Sequence, residues 1–524
     1  MNPELGDTGQ DGSIGQPLVQ HAVIHIGANA VSMIIVERVE KDSPNVEVLE
    51  YLEQPLPLAE DIFRDGVLSR STIERCVKIL ERFGNTLREY GLQAQDVEGV
   101  ATNILSEADN CELLLNRLQV ACGLDIRPLD EGDMTRLVYL IVARLLKEHS
   151  NLRKSRLLAI HVGPGNTRLM LFNKGRIDQY NSYRMGAHRV AEATERLPMD
   201  ADTVPELIKG HINGIIEQIE DAYLNESIDT VLAIGHEIQP VANHLAKHET
   251  LMEVERRALR RLKKRMSTLG DKEIASLLDV NVYAARAVPA GVVCNLAIVS
   301  KLGLDKFYVP GGSFDECFLA GLAGGEFSTK RFANEVIGSA RALGKKYGYD
   351  RKHGDHVASI AVSLFDQLID LICLLQQDRL LLEVAAIVHE VGSFIGRRSH
   401  HKHSLYIIKH SEIFGLNDEE TSIVALVARY HRHALPEADH PYMGDLTREG
   451  RIRVSKLASL LRVADALDRS HTQHLQVQKV RVHRDKLLLH VGNVVNVSVE
   501  ELGLRSKADL FEQVFGLEVV LETG

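Results

Sequence analysis

Two stretches of this chain are written to one template. Residues 23–35, V-I-H-I-G-A-N-A-V-S-M-I-I, and residues 159–171, A-I-H-V-G-P-G-N-T-R-L-M-L, each read as a buried strand, a tight glycine turn and a second strand. Apolar runs bounded by glycine are the pattern of strands joined in a hairpin. His25-x-Gly27 recurs as His161-x-Gly163, 136 residues further on. A duplicated hairpin at that distance implies two related lobes facing a cleft. Backbone N–H groups in such turns can cradle a phosphate. Gly27, Asn29, Gly163, Gly165, Asn166 and Thr167 are therefore candidate phosphate-binding residues, although Pro164 removes one donor from the second loop.

Further landmarks follow in order. Residues 101–110 read A-T-N-I-L-S-E-A-D-N, Arg136-Leu137 follow D-M-T, and residues 308–321 read Y-V-P-G-G-S-F-D-E-C-F-L-A-G. Beyond them come H-G-D-H-V-A-S-I-A-V-S-L-F-D-Q-L from 353 and H-H-K-H-S-L-Y-I-I-K-H from 400. The collinear set, spanning about 21–524, resembles the exopolyphosphatase and guanosine-pentaphosphate phosphohydrolase (Ppx/GppA) family. That family's motifs read D-I-G-S-N-S, A-T-x-x-L-R-x-A-x-N, E-E-A-R-L and D-I-G-G-G-S-T-E. The resemblance implies an α/β protein followed by a mostly α region: two actin-like (ribonuclease H-like) lobes around a cleft, then a helical domain similar to HD-type phosphohydrolases. It also implies Mg²⁺ or Mn²⁺ as cofactor, polyphosphate or a guanosine polyphosphate as ligand, and a homodimer.

The letters that carry chemistry in the family differ here. The aspartates opening the two phosphate motifs are His25 and His161, and the glutamate closing the second is Arg168. Of the E-E pair, Asp133 is one methylene shorter and Met134 cannot act as a base. Asp133, His25 and His161 stand at the family's catalytic positions. The exchanges move the cleft by at least three charges toward positive, which disfavours hard Mg²⁺ and favours an anion. Arg168 can grip phosphate in bidentate fashion. Buried neutral histidines at strand ends are the alternative.

Pattern changes divide the chain into a disordered tail (1–20), lobe I (21–150), lobe II (151–326), a helical domain (327–474) and a small α+β C-terminal unit (475–524). No run approaches the roughly 18 uninterrupted apolar residues of a membrane span. The N-terminus lacks the basic and apolar regions of a signal peptide. Six scattered cysteines without a C-x-x-C pair fit reduced thiols in a cytoplasm. The formal charge of −11 argues against general nucleic-acid binding, yet residues 256–265, R-R-A-L-R-R-L-K-K-R, carry seven cations in ten positions. On a helix these could line a polyanion track. The alternative is a solvated face balanced by Glu253 and Glu255.

A second constellation lies in the helical region. His353, the doublet His389-Glu390, His400, His431 and Asp465 occur in the order that HD-type phosphohydrolases use for His, His-Asp, His, His and Asp around one or two metals. The resemblance makes all six candidate metal ligands, for a divalent or transition metal, with Glu390 in place of the usual aspartate. Arg397, Arg398, Lys402, Arg429 and Arg432 are nearby cations for substrate phosphate. Inherited polar packing is the alternative. Three functions stay open: a polyphosphate or guanosine-polyphosphate hydrolase whose N-terminal cleft is weakened or inactive, a non-catalytic polyphosphate- or alarmone-binding regulator, and a metal-dependent phosphohydrolase working at the helical site.

Overall fold

The computed structural model describes residues 19–38, 47–195, 204–223, 226–246, 249–323, 330–492 and 496–523. The described chain gathers into two units. One takes the residues up to Leu129 and from Leu137 to 323, and the other takes Asp130–Arg136 and everything from Lys330 onward. Residues 1–18 of the expected tail, and the expected boundary at 326, lie outside the described residues.

In the first unit, strands β1 (Val19–Ile26), β2 (Ala30–Arg38), β3 (Glu47–Pro55), β4 (Val97–Ala101) and β5 (Ile126–Pro128) form a sheet of order β3-β2-β1-β4-β5. Strands β6 (Arg156–Val162), β7 (Thr167–Asn173), β8 (Arg176–Tyr183), β9 (Thr230–Ile234), β10 (Leu251–Glu255) and β11 (Lys306–Pro310) form the order β10-β11-β9-β6-β7-β8. Each sheet has an antiparallel meander on one side of its first strand and a parallel partner on the other. The duplication read from sequence is thus a duplication of topology. Its turns close identically: Gly27 N–H donates to the Ala30 carbonyl at 2.8 Å, and Gly163 N–H to the Asn166 carbonyl at 2.9 Å.

The central strands of both sheets are buried on both faces, as near-continuous apolar strands require. Ile24, Met33 and Ile35 of the first pack with Ile73, Leu80 and Phe83 of the helix Arg70–Glu89. Leu158, Ile160 and Leu171 of the second pack with Val288, Val292 and Val299 of the helix Val282–Lys301. That helix is long and apolar enough to cross a membrane by length and composition, but its apolar residues belong to this core.

The second unit carries the helices Lys330–Lys346, Arg351–Gln367, Gln376–Val388, His400–Lys409, Asp418–Arg429 and Arg448–Ala466. Strands β12 (Val477–His483), β13 (Lys486–Val491) and β14 (Glu518–Thr523) form a small sheet. Between β13 and β14 lie the helices Ser498–Lys507 and Asp509–Phe515. Ala508 separates these two helices.

Candidate functional sites

The register of the twin hairpins fixes the histidines. His25 lies opposite Ser32 and His161 opposite Arg168, each one pair from the turn. Both histidines and Arg168 are buried. Arg168 Nη1 lies 3.2 Å from His161 Nδ1, and the His161 ring stacks on Phe314 with centroids 5.5 Å apart. Burial first, and then the Arg168 charge, hold His161 well below its ordinary pKa. Burial likewise lowers His25 to about 4. Both rings are neutral at pH 7, and both nitrogens of His25 lack a hydrogen-bond partner.

A cavity of about 700 Å³ opens between the two lobes of this unit. Gly27, Ala28, Asn29 and Ala30 of the first turn line it, but Pro164 alone represents the second turn. Among the described residues no lysine or arginine lines it, whereas Glu53, Glu237, Asp279 and Asp315 do. The positive cleft expected from His25, His161 and Arg168 is therefore not what the cavity presents. The guanidinium lies against β6 inside lobe II, and the histidines have lost their charge to burial.

The candidate phosphate-binding groups are largely engaged elsewhere. The Gly27 and Gly163 N–H groups close the turns, and the Thr167 hydroxyl donates to the Met185 carbonyl. The Gly165 carbonyl accepts from Arg189 Nε at 3.1 Å, and Asn29 Nδ2 meets His188 Nε2 at 2.9 Å. Asn166 sits at the end of the second turn, where its carbonyl receives the Gly163 proton.

The cavity's own titratable pair was not singled out from sequence. His236 Nε2 lies 3.0 Å from Asp315 Oδ1, while His25 Nδ1 is 3.9 Å from the same oxygen. Burial opposes protonation of His236, but the adjacent Asp315 carboxylate outweighs it and raises the pKa to about 9. Burial raises the pKa of Glu237, whose carboxylate has no hydrogen-bond partner. The signal available was a polar doublet directly after an apolar strand and a glycine, A-I-G-H-E at 233–237.

Asp133 belongs to the other unit. It stands in the first turn of the helix Glu131–Glu148, where its N–H donates to Asp130 Oδ1 at 2.9 Å and its Oδ2 accepts from Asp130 N–H at 3.3 Å. This reciprocal pair is a capping arrangement. Asn417 Nδ2 approaches its other oxygen at 3.5 Å.

In the helical unit the six residues singled out from sequence converge. His389, His400 and His431 share one device: each ring Nδ1 lies against the carbonyl three residues earlier. The distances are 2.7 Å to Ala386, 3.1 Å to Arg397 and 2.6 Å to Ala428. A carbonyl only accepts, so Nδ1 carries the proton and a neutral ring turns its Nε2 lone pair inward. His353 Nδ1 is held by Asp468 Oδ2 at 2.8 Å, leaving Nε2 3.6 Å from Asp465 Oδ1. His389 Nε2 is 4.0 Å from the same oxygen, and His400 Nε2 is 3.0 Å from His431 Nε2. Ligand atoms of His353, His389 and Glu390 lie within 4.8 Å of one another, as do those of His389, His431 and Asp465.

Charge at the cluster is strongly polarised. Burial would raise the Asp465 pKa, but the Lys507 ammonium on its Oδ2, with His353 and then His389, holds it well below the usual range. Burial disfavours His353 protonation, yet Asp465 and Asp468 raise its pKa to about 9. Burial lowers His389 and, with the neighbouring His389, holds His431 well below its ordinary value. Close approach of two segments brings the rings together: Ser404 Oγ donates to the His389 carbonyl and accepts from Gly392 N–H. A Cβ at Gly392 would lie 2.1 Å from the His400 carbonyl oxygen.

A metal fits this donor set. His353 Nε2 and His389 Nε2 are buried nitrogens without a hydrogen-bond partner, and Nδ1 anchored to a carbonyl or carboxylate is how ligating histidines are oriented. Four imidazoles and one carboxylate suit a divalent transition metal better than Mg²⁺. Lys507, which the sequence reading did not single out, is the cation already there.

Twin actin-like sheets with a mostly helical C-terminal part define the class. The chain belongs to the Ppx/GppA phosphatase family: residues 34–322 match that family, and residues 337–502 match its domain III. Guanosine-5'-triphosphate,3'-diphosphate pyrophosphatases of Vibrio vulnificus (strain YJ016) and Vibrio parahaemolyticus serotype O3:K6 are each 22% identical over 477 residues. In both cases 90% of this chain and 91% of the relative are covered. Among solved structures, an exopolyphosphatase from Cytophaga hutchinsonii superposes with a TM-score of 0.50 at 16% identity, covering 59% of this chain and 98% of its own.

Two predictions follow from these geometries. A histidine whose folded pKa exceeds its unfolded value contributes stability that is complete below about pH 6.5 and lost as the pH rises through the folded value. Asp315→Asn removes the carboxylate holding His236 near 9. The stability gap between wild type and variant is therefore expected to be wide at pH 6.5 and to narrow toward pH 9.5 in urea unfolding. Gly392→Ala, which drives a methyl into the His400 carbonyl, should lower unfolding free energy by about 1–3 kcal/mol, read in the same assay at pH 7.

Proposed function

We propose that this chain is a phosphohydrolase acting on polyphosphate or a guanosine polyphosphate, with its hydrolytic centre at the helical His/Asp cluster and an N-terminal cleft inactive by the family's own route. The cluster is then an HD-like metal site. The observation that carries this reading is the clustering of four histidines: His353 and His389 turn Nε2 toward Asp465, His431 shares a cluster with His389 and Asp465, and His400 Nε2 lies 3.0 Å from His431 Nε2.

His353, His389, His400, His431 and Asp465 would hold a divalent transition metal, with Glu390 beside His400 at 4.0 Å. Such a metal, when bound, supplies a Lewis acid and a water of lowered pKa. The chain's own part is to fix the rings, keep Nδ1 protonated and present the Nε2 lone pairs. Arg429, whose Nε is buried without a hydrogen-bond partner, precedes His431 by two residues and would be the candidate to meet a phosphate oxygen. In the cleft the acidic lining disfavours a polyanion, and neutral His25 and His161 replace the carboxylates that orient a hard cation.

One contact favours the second reading, a polyphosphate- or alarmone-binding regulator. The Lys507 ammonium sits on Asp465 Oδ2, where a metal's charge would otherwise go. Metal content and phosphate release separate the readings. Purified wild type is expected to hold near-stoichiometric Mn, Fe or Zn and to release orthophosphate from polyphosphate. The His389→Ala/Asp465→Ala variant should lose both, release falling at least about 100-fold, since ligands removed together act as a unit. Release that survives there but disappears in His161→Ala would put the chemistry in the cleft. No metal and no release would leave the regulator. Lys507→Met, which removes the competing cation, is expected to tighten metal binding by about tenfold in calorimetric titration, equal to about 1.4 kcal/mol. Unchanged affinity would make Lys507 a bystander.

A further inference from the structure

The basic run at 256–265 is absorbed by neither site. It folds as the helix Arg256–Met266 in lobe II, about 16 Å long at 1.5 Å per residue. Leu259, Leu262 and Met266 are buried and define its inner face. Arg257, Arg260, Arg261 and Lys264, spaced i, i+3, i+4 and i+7, form one stripe on the opposite side, and all four are exposed. Residues at those spacings are surface neighbours, and like charges there destabilise a helix.

Nothing described neutralises the stripe. Glu253, one of the two acids expected to balance it, is instead held by Lys306 Nζ at 2.7 Å and by the Tyr308 hydroxyl at 3.1 Å. Glu255 stands at the helix N-cap position. Arg256 pairs with Asp305 at 2.6 Å. Among the described residues, none of the four stripe cations has a carboxylate within 4 Å. A solvated face of ordinary composition would interleave acids at i+4. This helix carries four unneutralised cations in a line on a chain whose net charge is −11.

We propose that this stripe is a binding site for inorganic polyphosphate, a linear phosphate chain that lies along the helix outside both candidate catalytic centres. For the identity of the ligand the inference rests on the phosphohydrolase reading; for the surface it rests on this helix alone. A phosphate chain needs closely spaced cations and nothing else, and the stripe offers nothing else. Single-stranded nucleic acid is held by aromatic stacking as well as charge, and this helix has no aromatic residue. A duplex would press its remaining phosphates onto a chain of net charge −11. A membrane helix needs an apolar face turned outward, and here that face is buried in lobe II. The site would hold a long substrate by its body while an end is processed elsewhere, so its contribution would grow with chain length.

The test is binding of fluorescein-labelled long-chain polyphosphate by the full chain in EDTA, followed by anisotropy across a salt series. Wild type should bind saturably and weaken steeply with salt, as counterion release requires. Arg257→Ala/Arg260→Ala/Arg261→Ala/Lys264→Ala should bind at least about 30-fold more weakly, with a salt slope shallower by roughly three. Tripolyphosphate, too short to span the stripe, should show little difference between the two proteins. Because alanine is a strong helix former and the change removes repulsion, the variant should melt no lower than wild type, which separates lost binding from lost folding. The three arginines changed to lysine should retain binding.

Equal binding by wild type and the quadruple alanine variant would overturn the proposal. So would a wild type that ignores polyphosphate, or one that prefers an RNA oligomer of equal charge or anionic vesicles. Since EDTA removes metal and no turnover is read, a wild type that binds through the stripe yet hydrolyses nothing would defeat the hydrolase reading and leave this one standing. A wild type that hydrolyses polyphosphate with stripe-independent binding would do the reverse.

Discussion

A neutral imidazole has one proton to give, and in the helical unit three rings give it to a carbonyl three residues behind them. That constraint turns the Nε2 lone pair of each of these three rings away from its anchor. With Nδ1 committed, Nε2 can only accept, so two such nitrogens 3.0 Å apart, as in His400 and His431, cannot satisfy one another without a cation between them. Leaving buried acceptors unmatched is costly. The arrangement therefore demands positive charge from somewhere: a metal, or the protons and ammonium that His353 and Lys507 supply around Asp465. The helix ends exist to place these rings. His389 and His431 each follow the last turn of a helix, and His400 opens one, so the free carbonyls of helix termini and the loop carbonyl before His400 become the anchors.

How much of this was legible follows from the reach of each signal. The twin hairpins were readable because strand, glycine and strand are local, and the register then follows from turn length. The six cluster residues were readable as an order along the chain. Lys507 was not. It enters from the helix Ser498–Lys507, whose apolar residues are few and whose first turn carries Glu500 and Glu501, so periodicity gave no reason to begin a helix there. Asp315 and His236 were equally hidden, since their partnership joins two segments 79 residues apart that meet only once the lobe has folded.

Asp133 shows the opposite difficulty. Its type and position matched a catalytic carboxylate, but a carboxylate three residues after an aspartate at a helix start is also what a capping pair looks like. Asp130 N–H donates to its Oδ2, and its own N–H donates to Asp130 Oδ1, as such a pair does. Arg168 is a related case. Counting charges along the sequence placed a guanidinium in the cleft, whereas side-chain alternation on β7 and the pairing with His161 bury it in the lobe.

The distribution of charge in the first unit then has a consistent physical logic. Exchanging family carboxylates for His25, His161 and Arg168 does not bring three positive charges to the cavity lining, because burial disfavours the charged form of both imidazoles and the guanidinium lies against His161 inside the lobe. Among the described residues, what lines the cavity is acidic, with His236 paired to Asp315 as the one lining group shifted toward the cationic form. Cations able to meet a phosphate chain at low desolvation cost must remain in water, and in this unit the helix Arg256–Met266 keeps four of them there in a row. Exposed charges act over about a Debye length, enough to gather a polyanion from solution. Holding a reacting group in a fixed geometry takes the buried, hydrogen-bonded kind of site that the helical unit builds. On the two readings proposed above, attraction and chemistry would fall to different physical environments, each suited to one task and poor at the other.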